Sequence, residues 1–414
     1  MASENSITKV IARGLYDSNG RAAVEVTLVD GAGRSSSALA PRGSSVGEYE
    51  PAHLEDAASQ PRLRAVAPAV RAVAQQVEPA LVGLDASDLT AVDRRLDDLD
   101  PPPSRKVIGG NTTIATSMAV AQLGALQRSL PLHTHLRDFV GLPEADRPPL
   151  PAMNIIDGGL CPSSKVPHIE FLLFPDPDVQ LLDAVETSIR VRDYAREVCY
   201  RRGYEAATSQ QGAISVPLQS CTEGMDIILA VLQELGVESG FRLGLDMAAS
   251  DVWRNGKYQF PWTNRALSAD ALLDTYLEWI PRYSLRYLED GFSASAMSEF
   301  TVLTSKAGDM MIAGDDLFAS NVSRVTAGVQ GGWANAVVVK PNQAGTVSAA
   351  IRAAEATRNN GATLVISQRS GENGGSFISS LAIACGARYI KVGGPARMDR
   401  IAKINELLTT LAPK

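Results

Sequence analysis

The sequence predicts an α/β protein, a barrel of alternating strands and helices preceded by a smaller α+β domain. Two observations carry the barrel. From about residue 180 onward, short apolar runs alternate with segments of helical period. Several of those runs end in a charged residue: Asp246 in LGLDMAAS, Glu289 in LRYLEDGF, Asp315 in MMIAGDDLF, Lys340 in AVVVKPNQ and Lys391 in RYIKVGG. A third observation sets the first part of the chain apart, because there strands are grouped first and helices afterwards. In a barrel of parallel strands the strand C-termini converge on one mouth. Three carboxylates gathered there make a site for a hard cation, and an ammonium beside them can abstract a proton. A lone acid at a strand end is more often a helix cap or a solvated loop residue. Five charged groups in the same setting are harder to explain that way.

The elements follow in order. AAVEVTLVD alternates as a strand does, and SNGR and DGAGR are turn-rich breaks around it, so residues 7–40 read as strands. PRGSSVGEYE (41–50) is a Gly/Ser loop. Residues 53–98 carry helical periodicity, DPPPSR (100–105) is a hard break, and 109–130 reads as a long, largely buried helix. The Pro-rich and charged stretch GLPEADRPPLP (141–151) is the linker candidate, so residues 1–140 are expected to form the α+β domain and 141–414 the barrel. MNIID and IEFLLFP are the first two candidate barrel strands, and helices and apolar strands alternate after them.

Composition bounds the function. The chain has 414 residues, 45% hydrophobic and 21% charged, with a net charge of −7. That is ordinary for a soluble protein, and the negative balance argues against nucleic-acid and anionic-membrane partners. A small anionic substrate stays compatible with it, because a bound cation inverts the local charge. MASENSITKV lacks a basic stretch followed by an apolar one, so no secretory signal is expected, and no apolar run reaches the length of a membrane span. Four scattered cysteines form neither a CxxC pair nor a disulfide framework, which fits a reducing cytoplasm.

Read in order, ARGLYDSNGRAAVEV, PRGSSVGEYE, NIIDGGLCPSSK, LGLDMAASDVWRNGKYQF, YLEDGF, IAGDDLFASN, VVVKPNQAGTV, VISQRSGENGG and IKVGGPARMDRIAKINELL resemble enolase, the phosphopyruvate hydratase family, over nearly the whole chain. The resemblance implies an enolase-like (β/α)8 TIM barrel of modified topology under an N-terminal α+β cap domain, in a homodimer or larger homo-oligomer. It implies Mg²⁺ held by Asp246, Glu289 and Asp315, with Ser45 reaching a second ion. It implies Lys340 as the general base, Lys391 on the substrate carboxylate, and Arg369 and Ser370 as a phosphate clamp; an Arg fork suits phosphate or phosphonate. Glu170 matches one of the family's two acid-side glutamates. As a base Lys340 must be partly neutral, and Mg²⁺ with Lys391 is expected to lower its pKa.

Other positions depart from the family pattern. Cys161 and Gln368 stand where the family has histidines, SQQGA (209–213) replaces its GDEGG loop with Gln211 in the place of the acid, and Ile169 replaces a glutamine. Glutamine exchanges hydrogen bonds but delivers no proton. The half that makes the carbanion is kept and the leaving-group half is changed, so altered chemistry is expected. A divergent branch that fits is carboxyphosphonoenolpyruvate synthase of phosphinate antibiotic biosynthesis, which is similar in scaffold and has a phosphonate-containing product. Two other readings stand beside it: a weak 2-phosphoglycerate dehydratase, and a non-catalytic binding or interaction protein. Cys161 reads either as a nucleophile or as a small apolar filler. His53, His168 and the HTH of 133–135 read as packing or surface residues.

Overall fold

The computed structural model describes residues 3–43, 47–159, 161 and 163–411. The N-terminal part opens with an antiparallel three-stranded sheet in the order β1 (Ile7–Tyr16), β2 (Ala22–Asp30), β3 (Ser35–Leu39). Its buried face packs on the helix Gly110–Gln127, which is buried on nearly all sides. The start of that helix is fixed by Asp100, whose Oδ2 accepts the amides of Val107, Ile108 and Gly109 at 3.0, 2.8 and 2.9 Å. One expectation fails here. Residues 53–61 are not helical; a 3₁₀ turn at Arg62–Val66 leads into an irregular helical stretch from Ala67 to Leu81. Pro61 explains the late start, since it disfavours helix at the residue before it and lacks an N–H to donate.

The barrel strands are β4 (Leu150–Asp157), β5 (Glu170–Pro175), β8 (Phe241–Asp246), β11 (Tyr287–Glu289), β12 (Met311–Gly314), β13 (Ala336–Val339), β14 (Thr363–Ser367) and β15 (Tyr389–Gly393), and β15 pairs with β4 to close the ring. A short ribbon, β6 (Ala207–Thr208) and β7 (Ile214–Ser215), is appended to β4, and a second, β9 (Trp253–Arg254) and β10 (Lys257–Tyr258), lies after β8. Strict alternation of strand and helix is broken at the start. β5 runs antiparallel to both β4 and β8, and two helices, Leu181–Arg201 and Cys221–Leu235, separate it from β8. The remaining neighbours are parallel.

Side chains two apart on a strand share a face, and this alternation divides the barrel interior into two levels. Phe174 stacks on Tyr287 with ring centroids 4.4 Å apart and meets Tyr389 edge-on at 5.1 Å, forming an aromatic floor. Gly244 makes room for it: a Cβ there would lie 2.7 Å from the Phe174 ring. One step up the same strands stand Asp246, Glu289, Lys391 and, on the reversed strand, Leu172 and Glu170. The floor therefore dictates that the charged residues point into the same space, toward the mouth.

Candidate active site

Strand register brings the acids together. Glu289 pairs laterally with Asp246 on β8 and with Ala313 on β12, two residues before Asp315. Because β5 is reversed, its first residue, Glu170, lies at the mouth opposite Asp246 and Asp157. Lys391 reaches three of them from across the barrel: its Nζ is 2.5 Å from Glu289 Oε2, 2.9 Å from Asp246 Oδ2 and 3.3 Å from Glu170 Oε2. Lys340, just past β13, pairs with Asp315 Oδ2. Gln343 donates to the other Asp315 oxygen at 3.0 Å and to Glu50 of the N-terminal part at 3.2 Å.

The electrostatics follow from burial. Lys391 loses solvation, yet Asp246, Glu289 and Glu170 outweigh that loss and hold it charged, well above the usual lysine range. Burial also works against the Lys340 charge, but the Asp315 carboxylate prevails over it and over the repulsion from Arg369 and Lys391. The expected lowering by Mg²⁺ and Lys391 is a property of the loaded site; here the ion pair with Asp315 holds the lysine charged. Burial, with Asp246 beside it, pushes the Glu289 carboxyl well up, and its Oε1 has no hydrogen-bond partner among the described residues. Asp246, Glu289 and Asp315 are buried or half-buried carboxylates, the donor type that a hard cation takes, and here they are paired with Lys391 and Lys340.

Sequence reasoning missed several residues. Asp290 accepts the amides of Asp315 and Asp316 at 3.0 and 2.8 Å and so sets the loop that carries the metal candidate. Among the described residues, oxygens of Asp290, Asp315 and Asp316 lie within 4.8 Å of one another, and this is the acidic grouping compact enough to hold a cation. Burial and the nearby Asp315 raise Asp316 to about 7. The second acids of LED and GDD were the available signal. Arg369 donates to Glu50 Oε1 at 3.0 Å, and its backbone with that of Ser370 is held by the Arg400 guanidinium at 3.0 and 2.7 Å. Ser370 lines the same cavity. Contacts from the N-terminal part, such as the Arg42–Gly371 bridge and Asn19 Nδ2 to Ser370 O at 3.1 Å, hold this segment from the other domain.

On the opposite wall, Gln368 donates to Gln211 Oε1 at 2.9 Å, and Gln211 donates to Glu170 Oε1 at 2.5 Å. Gln368 and Gln211 thus form one amide chain ending on Glu170. Burial works against the Glu170 charge, but Lys391, His168 and Gln211 together hold its pKa below the usual range. Cys161 stands on the loop between β4 and β5, with Sγ 3.3 Å from Ser163 Oγ, and is not among the described residues lining the cavity. Ser45 lies outside the described residues. Burial pushes the Cys199 and Cys385 thiols up to about 11 and about 12, as for inert core cysteines. No described helix is long and apolar enough to cross a membrane.

Comparison with known proteins bears on the same residues. Residues 7–136 match the family model "Enolase, N-terminal domain", and residues 147–411 match "Enolase, C-terminal TIM barrel domain". A protein named Enolase from Natranaerobius thermophilus is 33% identical over 405 residues, covering 97% of this chain and 94% of its own length. With a closed barrel whose second strand is reversed, acids and lysines converging on its mouth, and both domain types matched, the chain belongs to the enolase family.

Proposed function

We propose that the protein is a Mg²⁺-dependent enzyme that enolises a three-carbon acid bearing a 2-phospho or 2-phosphono group, with chemistry altered on the leaving-group side. The observation that carries this reading is the division of the cavity. One group of lining residues is Asp246, Asp315, Lys340, Lys391 and Arg369, with Glu289 bound to Lys391, while in the other Gln368 donates to Gln211 and Gln211 to Glu170. Bound at the three carboxylates, Mg²⁺ supplies charge to stabilise an enolate. Arg369 and Ser370 orient the phospho or phosphono group, Lys391 faces the substrate carboxylate, and Lys340 takes the proton from C2. Amide groups at Gln211 and Gln368 position a leaving group by hydrogen bonding and cannot protonate it. An enolpyruvate product such as carboxyphosphonoenolpyruvate agrees with this pattern. A weak 2-phosphoglycerate dehydratase is the second reading, favoured by Glu170, which keeps a carboxylate on the acid side.

The test separates enolisation from departure of the leaving group. Incubation of the protein in D₂O with Mg²⁺ and 2-phosphoglycerate or a phosphono analogue is expected to place deuterium at C2, and Lys340→Ala to remove it. A wild-type protein that binds the acid and incorporates no deuterium sinks the enolisation reading.

A further inference from the structure

The loop before β5 carries a histidine to which the family resemblance gives no role. We propose that His168, oriented by the buried Asp157, is the proton donor on the leaving-group side of this site. The proposal rests on the enolisation reading above and supplies the acid that reading lacks.

The geometry has three parts. Asp157 ends β4 at the barrel mouth, pairs in register with Glu170, and is wholly buried. A carboxylate removed from water needs a cation or donor. His168 is the cation at hand: its Nδ1 lies 3.6 Å from Asp157 Oδ1, an ion-pair distance. Finally, His168 lines the same cavity as Glu170, Gln211, Gln368 and Arg369, and its side chain is 33% exposed against 0% for Asp157. One imidazole nitrogen thus stands at ion-pair distance from a buried acid, with no hydrogen bond between them, and the ring borders the cavity. Burial pushes the Asp157 carboxyl up to about 7, and the charge on His168 is the largest influence holding it down.

The neighbours leave the task to this residue. Glu170 is held ionised by Lys391 and by Gln211, so it does not carry a proton at neutral pH. Lys391 is bound to three carboxylates. Burial works against the His168 charge, but Asp157, Glu170 and Asp246 outweigh it and keep the imidazolium above the usual histidine value. These are the charged groups that face the ring from β4, β5 and β8.

With 2-phosphoglycerate as the probe the step balances. Lys340 takes the C2 proton and the electron pair forms the enolate. That pair then makes the C2–C3 double bond as the C3–O bond breaks. The departing oxygen takes the His168 proton and leaves as water, and solvent returns a proton to the imidazole and removes one from Lys340. Asp157 is a positioning residue, acting through His168.

Two measurements on the full chain test this. Imidazole titration by NMR, with the His168 signal identified by its loss in His168→Asn, should show a pKa above the ordinary ~6.5. Asp157→Asn should lower it by at least about one unit. A ring that titrates normally and ignores Asp157→Asn overturns the proposal without reference to activity. In the second measurement, His168→Asn should lower water elimination from 2-phosphoglycerate by about 10²–10⁴-fold while C2 deuterium exchange stays within about threefold of wild type. Elimination unaffected by the substitution, with exchange intact, removes this proposal alone. Absence of exchange in the wild type removes the enolisation reading and this proposal with it.

Discussion

Gln211→Glu restores a carboxyl group where the family's loop has an acid, and the structure sets what it would cost. Gln211 is 5% exposed, and its Nε2 sits 2.5 Å from Glu170 Oε1. If both carboxyls were ionised at that distance, repulsion at an effective dielectric of 20 would be about 7 kcal/mol. Keeping the new carboxyl protonated at pH 7, against an ordinary Glu pKa near ~4.3, costs about 4 kcal/mol at about 1.4 kcal/mol per unit. Protonation is the cheaper outcome. The carboxyl then donates to Glu170 as the amide did, and its oxygen still accepts from Gln368. The new group's pKa is raised in the folded state, so its stability is complete below ~4.3 and is lost as pH rises. Urea unfolding should find the variant within about 1 kcal/mol of wild type at pH 5 and up to about 4 kcal/mol weaker at pH 7. A carboxyl holding a proton beside the leaving group is also a general acid, so 2-phosphoglycerate dehydration should rise by about 10²–10⁴ from a low wild-type level. Equal destabilisation at both pH values would refute the Gln211–Glu170 contact. Wild-type turnover near the ~10 s⁻¹ of ordinary enzymes would refute the premise that the amides weaken dehydration, whatever proton His168 supplies.

Other outcomes are also expected. Asp246→Ala should abolish high-affinity Mg²⁺ binding in calorimetric titration, because it removes one of three converging carboxylates; an unchanged isotherm counts against the site. His53 should make folding acid-sensitive. Burial, then Arg42 and Arg369, lowers its pKa to about 4, so it folds neutral, and the stability it contributes above ~6.5 is lost as pH falls toward 4. His53→Gln should flatten that part of the stability-versus-pH curve, and an unaltered curve would show that the ring is not desolvated.

Much of this protein is local information. Alternation and turn residues mark β1 and β2, and apolar runs that stop at Asp246, Glu289, Lys340 and Lys391 announce strands ending at a charged mouth. A strand's length, its period of two and its terminal residue are all written within a few consecutive residues. The chemical asymmetry is written there too, since Gln211 and Gln368 are amides whatever surrounds them. Direction and partnership are not. IEFLLFP reads the same for a parallel or a reversed strand, and only its pairing with β4 and β8 turns Glu170 toward Lys391. The spacing of residues 53–66 suits a helix until Pro61 and packing intervene. Tertiary structure alone decides that Lys391 serves three acids and that Lys340 is held charged by Asp315. It alone sets His168, unremarkable in sequence, against an Asp157 with no exposure to water. Such pairings join residues up to 221 positions apart, as for Lys391 and Glu170. Their strength comes from the exclusion of water, which only the assembled barrel provides.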